Sequence, residues 1–199
     1  MDFYFTIGTA GFAEFKDRGS RFLAYTFPLR SKEDFKRHLQ TVKKEHAKAA
    51  HHCFAYRINY DGNNYRVSDD REPSGTAGKQ ILAQIDSQNL SDILIIVVRY
   101  FGGTLLGVAG LINAYKTSAA LALRCSPVIQ KPIEINYVVQ FNYPEMNDVM
   151  RVVKKYNCTL YKNEIRLFCK MEVGIAKFRL AEVLQELRNI QNVELEKTG

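Results

Sequence analysis

Three stretches of this chain combine residue types that can do chemistry. The first, Asp69-Asp70-Arg71-Glu72-Pro73-Ser74-Gly75-Thr76-Ala77-Gly78-Lys79, sets carboxylates and a rigid proline before a small-residue loop that opens a helix. Backbone N–H groups at such a helix mouth face an anion unobstructed. Gly75 and Gly78 allow close backbone approach, Ser74 and Thr76 can cap or donate, and Lys79 and Arg71 add cations. The phosphate-loop signature is not met, because its GxxxxGK must be followed by Ser or Thr and here Gln80 follows Lys79. Two readings stay open: an anion site, or a tight, well-capped strand-to-helix turn.

The second stretch, Arg99-Tyr100-Phe101-Gly102-Gly103-Thr104-Leu105-Leu106-Gly107-Val108-Ala109-Gly110, leaves an apolar run and enters a long helix. Its four glycines carry an entropic cost, so close backbone approach, positive φ or helix packing must require them. Their N–H groups suit phosphate, and Arg99 and Tyr100 suit gripping and stacking on a nucleotide or on RNA. Equally, those two side chains can anchor the loop to its neighbours.

The third stretch is His51-His52-Cys53. On a strand, His51 and Cys53 share one face and His52 points to the other, so only two of the three converge. A core thiol beside hydrogen-bonding imidazoles is preferred to a metal or nucleophile site, since no spacing demands a third ligand and a reactive thiol needs a lowered pKa. Asp69, Asp70 and Glu72 are paired carboxylates for acid–base or metal work, or else helix caps and partners of nearby arginines. No catalytic residue, metal or cofactor is assigned.

Secondary structure must hold these stretches in place. Strands are expected over 11–15 and 21–27, and Ser31 with Asp34 caps an amphipathic helix over 32–49 whose outward face carries Lys32, Lys36, Lys43 and Lys48. Residues 53–59 and 64–68 read as a hairpin around Tyr60-Asp61-Gly62-Asn63. A helix follows over 78–86. The apolar run over 93–98 implies a strand buried on both faces, before a helix over 109–124. Pro127 and Pro132 end that helix and bracket a short connection, giving an expected division into domains 1–132 and 133–199. Beyond it the order is strand 134–142, helix 143–156, hairpin strands 158–162 and 164–173, helix 175–188 and strand 193–196. That βαββαβ pattern is ferredoxin-like. Lys154 and Lys155 on its first helix, with Arg166 and Lys170 on a strand, make it an interaction module without a reaction centre.

Composition narrows the function classes. The chain has 199 residues, 46% hydrophobic and 25% charged, which is globular. Of its net charge of +7, six units lie before residue 133, favouring polyanionic partners. The four cysteines form no CxxC pair, so neither a zinc ribbon nor a disulfide framework is legible. The opening residues lack a signal-peptide pattern, and no apolar run is long enough to cross a bilayer. The chain is expected in the cytoplasm, away from membranes.

Three segments together resemble the YigZ/IMPACT family in order and spacing: Ala50-His51-His52-Cys53-Phe54-Ala55-Tyr56, Asp70-Arg71-Glu72-Pro73-Ser74-Gly75-Thr76-Ala77-Gly78, and Arg99-Tyr100-Phe101-Gly102-Gly103-Thr104 through Gly107. The resemblance implies an α+β chain of the bacterial two-domain branch. Its first domain would be similar to ribosomal protein S5 domain 2 and its ferredoxin-like second domain similar to elongation factor G domain V. It also implies a role in translation control, which in the eukaryotic branch operates under stress through a protein partner. Arg71 and Ala109 stand where the family usually has glycine, and Asn113 where an arginine often stands.

The leading expectation is a regulator whose two glycine loops, with Arg71, Lys79, Arg99 and Tyr100, hold RNA, a ribosomal surface or a translation-related protein. One alternative is an enzyme acting on a phosphorylated small molecule or nucleotide. Another is a protein–protein regulator with no nucleic-acid contact. The sequence leaves the oligomeric state open.

Overall fold

The computed structural model describes residues 1–165 and 168–198, a mixed α/β chain. The described chain divides into two compact units. One runs over Tyr4–Lys131. The other combines Met1–Phe3 with the chain from Pro132 onward.

In the first unit a five-stranded antiparallel sheet runs in the order β2 (Gly11–Asp17), β3 (Ser20–Pro28), β6 (Ile93–Tyr100), β4 (His51–Ile58), β5 (Asn64–Ser68). The apolar run of the central strand β6 follows from its place: Ile93 through Val98 are all fully enclosed, so both faces need apolar side chains. Odd-numbered β6 residues pack with Phe22, Ala24, Cys53 and Ala55 beneath α2 (Gly78–Ser87) and α3 (Gly107–Arg124). Even-numbered ones pack with Leu23, Phe54 and Tyr56 beneath α1 (Lys32–Glu45). Ser31 caps α1 by accepting from the Asp34 N–H at 3.1 Å. The helix stops at Glu45, short of the expected residue 49, and a turn closed by the Ala49 N–H on the His46 carbonyl feeds β4.

The connection expected between Pro127 and Pro132 is a strand, β7 (Val128–Pro132), paired in a two-stranded sheet with β1 (Phe3–Ile7). The partners lie more than a hundred residues apart in sequence, and neither carries a local signal that would announce the pairing.

The second unit follows the βαββαβ order: β8 (Glu134–Phe141), α4 (Met146–Lys155), β9 (Thr159–Ile165), β10 (Cys169–Ala176), α5 (Leu180–Arg188) and β11 (Glu194–Lys197). The sheet order is β11-β8-β10-β9 with every neighbouring pair antiparallel. Val139, Phe141, Met171, Val173 and Ile175 pack with Val149, Val152 and Val153 of α4 and with Val183, Leu184 and Leu187 of α5. The hairpin register is corrected. β9 continues through Glu164, and β10 starts at Cys169 and continues to Ala176, because Ile175 pairs opposite Ile135 and fills the core. The helix expected from residue 175 therefore begins at Leu180, after a short 3-10 turn at Lys177–Arg179. Arg166 lies outside the described residues.

Candidate functional site

Strand alternation aims His51 and Cys53 of β4, and Arg99 of β6, at the layer that holds α2 and α3. Between β5 and α2 the chain returns Glu72 to the same place. Arg99 Nη1 donates to Glu72 Oε1 at 2.8 Å, and the Tyr115 hydroxyl of α3 donates to the same oxygen at 2.7 Å. His51 Nε2 stands 3.7 Å from that oxygen. Arg99 is 5% exposed and Glu72 8%, so the two charges neutralise one another in a low-dielectric setting. The root of one glycine loop is thereby fastened to the root of the other.

The remaining bonds of this cluster point inward. The single Cys53 thiol proton has two acceptors within reach, the Asp69 carbonyl at 3.0 Å and the Tyr115 hydroxyl at 3.3 Å. Burial pushes both the Cys53 thiol and the Tyr115 phenol well above their ordinary values, so each keeps its proton and neither is an activated nucleophile. Arg99 Nη2 also donates to Ser20 Oγ at 3.4 Å. The guanidinium lies 5.5 Å from the Phe22 ring centre and 5.6 Å from that of Phe101, within cation–π range. Arg99 is therefore an internal anchor for the loop.

The mouth of α2 is already occupied by a carboxylate of the chain itself. Asp69 Oδ1 accepts from the Ala77 and Gly78 N–H groups at 3.1 and 2.8 Å, and Oδ2 accepts from Gly75 at 2.9 Å. These are the donors an external phosphate would need. The adjacent bonds tighten the same turn: Thr76 Oγ1 donates to the Pro73 carbonyl at 2.6 Å, and the His52 N–H donates to Asp70 Oδ2 at 2.6 Å. His51 Nδ1 bonds the Asp70 carbonyl at 2.8 Å. A Cβ on Gly78 would meet the Ser68 backbone at 2.8 Å, which is why a side chain is excluded there. Arg71 adopts φ of +71°, the left-handed region that favours glycine, and donates to the Ala50 carbonyl at 3.0 Å. Arg71, Ser74 and Lys79 are exposed.

In the second loop, Gly102 sits so close to the neighbouring turn that a Cβ would fall inside the backbone of Gly19 and Ser20. Its N–H donates to Ser20 Oγ at 3.2 Å. Gly103 and Gly107 have φ of +88° and +73° and open space around them. Beyond this anchored root the loop turns apolar side chains outward: Phe101 is 51% exposed, Leu105 81% and Val108 59%.

His51, Cys53, Glu72 and Arg99 thus meet, while His52 and Tyr100 lie on the opposite, α1 side of the sheet. There His46 joins the Tyr100 hydroxyl at 2.9 Å and the Tyr25 hydroxyl at 2.7 Å. Among the described residues no group of three or more His, Cys, Asp or Glu is arranged to hold a metal ion. No described helix is long and apolar enough to cross a membrane. Tyr115 and Ser20 were missing from the sequence-derived site. Tyr115 reads in sequence only as an apolar-face helix residue, and nothing local marks Ser20.

Comparison with known proteins matches residues 18–123 to the family model of the Impact N-terminal domain. The IMPACT family member YigZ of Escherichia coli is 30% identical over 179 residues, covering 89% of this chain and 88% of that protein. YvyE of Bacillus subtilis, also described as an IMPACT family member, is 36% identical over 130 residues, covering 65% of this chain and 60% of its own length. A solved structure described as a hypothetical protein matches with a TM-score of 0.81 and 27% identity, over 100% of this chain and 98% of that one.

Proposed function

The chain belongs to the IMPACT family, and on that premise we propose that it is a translation-associated regulator, working in the cytoplasm by binding rather than by catalysis. Its contact surface is the outer side of the two glycine loops, which engages a ribosomal or translation-factor surface. The observation that carries this reading is the apolar tip Phe101, Leu105 and Val108, held out from a root anchored by Arg99 on Glu72 and by Gly102 against Gly19. Exposed apolar side chains on a rigid base suit macromolecular contact, because little ordering entropy is lost on binding. The exposed Arg71 and Lys79 belong to the neighbouring loop and suit an acidic rim. Asp69 on the mouth of α2 weighs against an enzyme that would hold a phosphorylated small molecule there.

We read the first unit as similar to ribosomal protein S5 domain 2 and the second as similar to elongation factor G domain V. The βαββαβ order and the antiparallel sheet order support the second assignment. The test is co-sedimentation of the purified chain with ribosomes and their subunits, with and without nuclease, for wild type and Leu105→Asp/Val108→Asp. Association of the wild type that the double variant loses supports the reading. Equal behaviour of the two proteins rejects the loop tip as the contact.

A further inference from the structure

On the α1 side of the five-stranded sheet, α1 buries Phe35 and Val42 against Leu23, Phe54, Tyr56, Leu94, Ile96 and Val98. β3 lies at the margin of this cover, and the edge strand β2 carries Phe12 outside it. Phe12 of β2 is 49% exposed, and Tyr25 and Phe27 of β3 and His38 of α1 are half-buried. These rings form a connected strip. Phe12 stands opposite Tyr25 in the strand register, with ring centres 4.9 Å apart. Tyr25 and Phe27 are parallel within 7° at 6.3 Å, and His38 stacks on Phe27 at 4.3 Å. None of them serves the Arg99–Glu72 cluster, which lies on the other face.

The same elements carry most of the chain's charge. Residues 11–48, which span β2, β3, α1 and the turn after it, hold ten Lys and Arg against five Asp and Glu, a net +5 of the total +7. Two of the five acids are paired: Glu14 with Arg21 at 2.8 Å and Lys16 at 3.6 Å, and Asp34 with Arg37 at 2.7 Å. Glu45 lies near Tyr25, while Lys44 of α1 and Lys48 of the turn after it are exposed.

We infer that this strip is a binding surface for single-stranded nucleic acid, with unpaired bases stacking on the Phe12–Tyr25 rings and the phosphate backbone following the cations of α1 and of the β2–β3 hairpin. Flat rings within a cationic field suit a polyanion that presents π-faces. A duplex keeps its base faces stacked inside and cannot use the rings. The inference rests on the binding function proposed above but uses the opposite face of the sheet, so the two can fail separately.

The experiment is fluorescence anisotropy of the full chain with labelled oligouridine, oligothymidine and a blunt RNA duplex across a salt series, for wild type, Phe12→Ala, Phe12→Tyr and Leu105→Asp. Wild type is expected to bind both single strands in preference to the duplex, less tightly as salt rises. Phe12→Ala should weaken binding about tenfold, within the range for losing one stacked base, and Phe12→Tyr should restore it. Leu105→Asp should bind as wild type even where ribosome association is lost. Thermal unfolding of Phe12→Ala near the wild-type midpoint shows that the variant is folded, as expected for a half-exposed edge residue. Absence of binding at low salt, a duplex bound as tightly as the single strands, or an unchanged affinity in Phe12→Ala overturns the inference.

Discussion

Arg99 Nη1 and Glu72 Oε1 lie 2.8 Å apart, between side chains that are almost wholly enclosed, and this bond joins the roots of two loops 27 positions apart in sequence. Removing one partner leaves the other charge buried and alone. Glu72→Ala or Arg99→Ala should each cost about 3–5 kcal/mol. The pair Glu72→Leu/Arg99→Met should recover a large part of that loss. Urea unfolding of the three variants measures it, and a double variant no more stable than the singles would refute the pairing argument.

Asp69 is the acceptor for three N–H groups at the start of α2. Loss of a cap of this kind costs about 2 kcal/mol. Asp69→Ala is expected to unfold correspondingly more easily, with faster amide exchange at Gly75, Ala77 and Gly78. Unchanged exchange at those three amides would show that another group caps the helix.

The glycines of the second loop are required for different reasons. At Gly102 an added methyl collides with backbone, so Gly102→Ala should destabilise by about 3 kcal/mol or more. At Gly103 only the left-handed φ opposes a side chain, at about 1–2 kcal/mol. Calorimetry of the two variants should rank them in that order, and the reverse order would contradict the packing seen at Gly19.

Burial holds the His52 imidazole below its ordinary value, against the pull of Asp70, and burial followed by the charge of Arg37 does the same to His38. Above the unfolded value of about 6.5 both rings are neutral in both states and cost nothing. Below it the unfolded chain takes up protons first, so stability falls as pH drops from about 7 toward 5. Melting temperatures over that range should decline in wild type and decline less in His52→Gln. Parallel curves for the two would remove His52 from the account.

Thiol exposure sets the order of alkylation. Cys125 is exposed and Cys158 half-buried, while Cys53 is enclosed with its thiol pushed upward by burial. Peptide mapping after limited iodoacetamide treatment should find Cys125 modified first and Cys53 unmodified until the chain unfolds. Early labelling of Cys53 would mean that its pocket opens in the native state.

By itself, the amino-acid sequence determined the features that depend on near neighbours. The Ser31 cap, the 64–68 strand and the doubly buried run of β6 follow from residue type and period. So does the split that turns His51 and Cys53 one way and His52 the other. The element order of the second unit was legible for the same reason, although the β9–β10 register was not, because local alternation does not fix which residues face each other across a strand pair. Tertiary structure alone decided which group answers which. Nothing local tells Arg99 to choose Glu72 over solvent, since the choice needs β6, the loop before α2 and Tyr115 of α3 in one layer. Asp69 fills the anion position at the mouth of α2 only because the turn after β5 folds back over Gly75 and Gly78. The β1–β7 pair forms between segments more than a hundred residues apart. In each case the deciding energy is a contact between distant segments, which a local pattern does not encode.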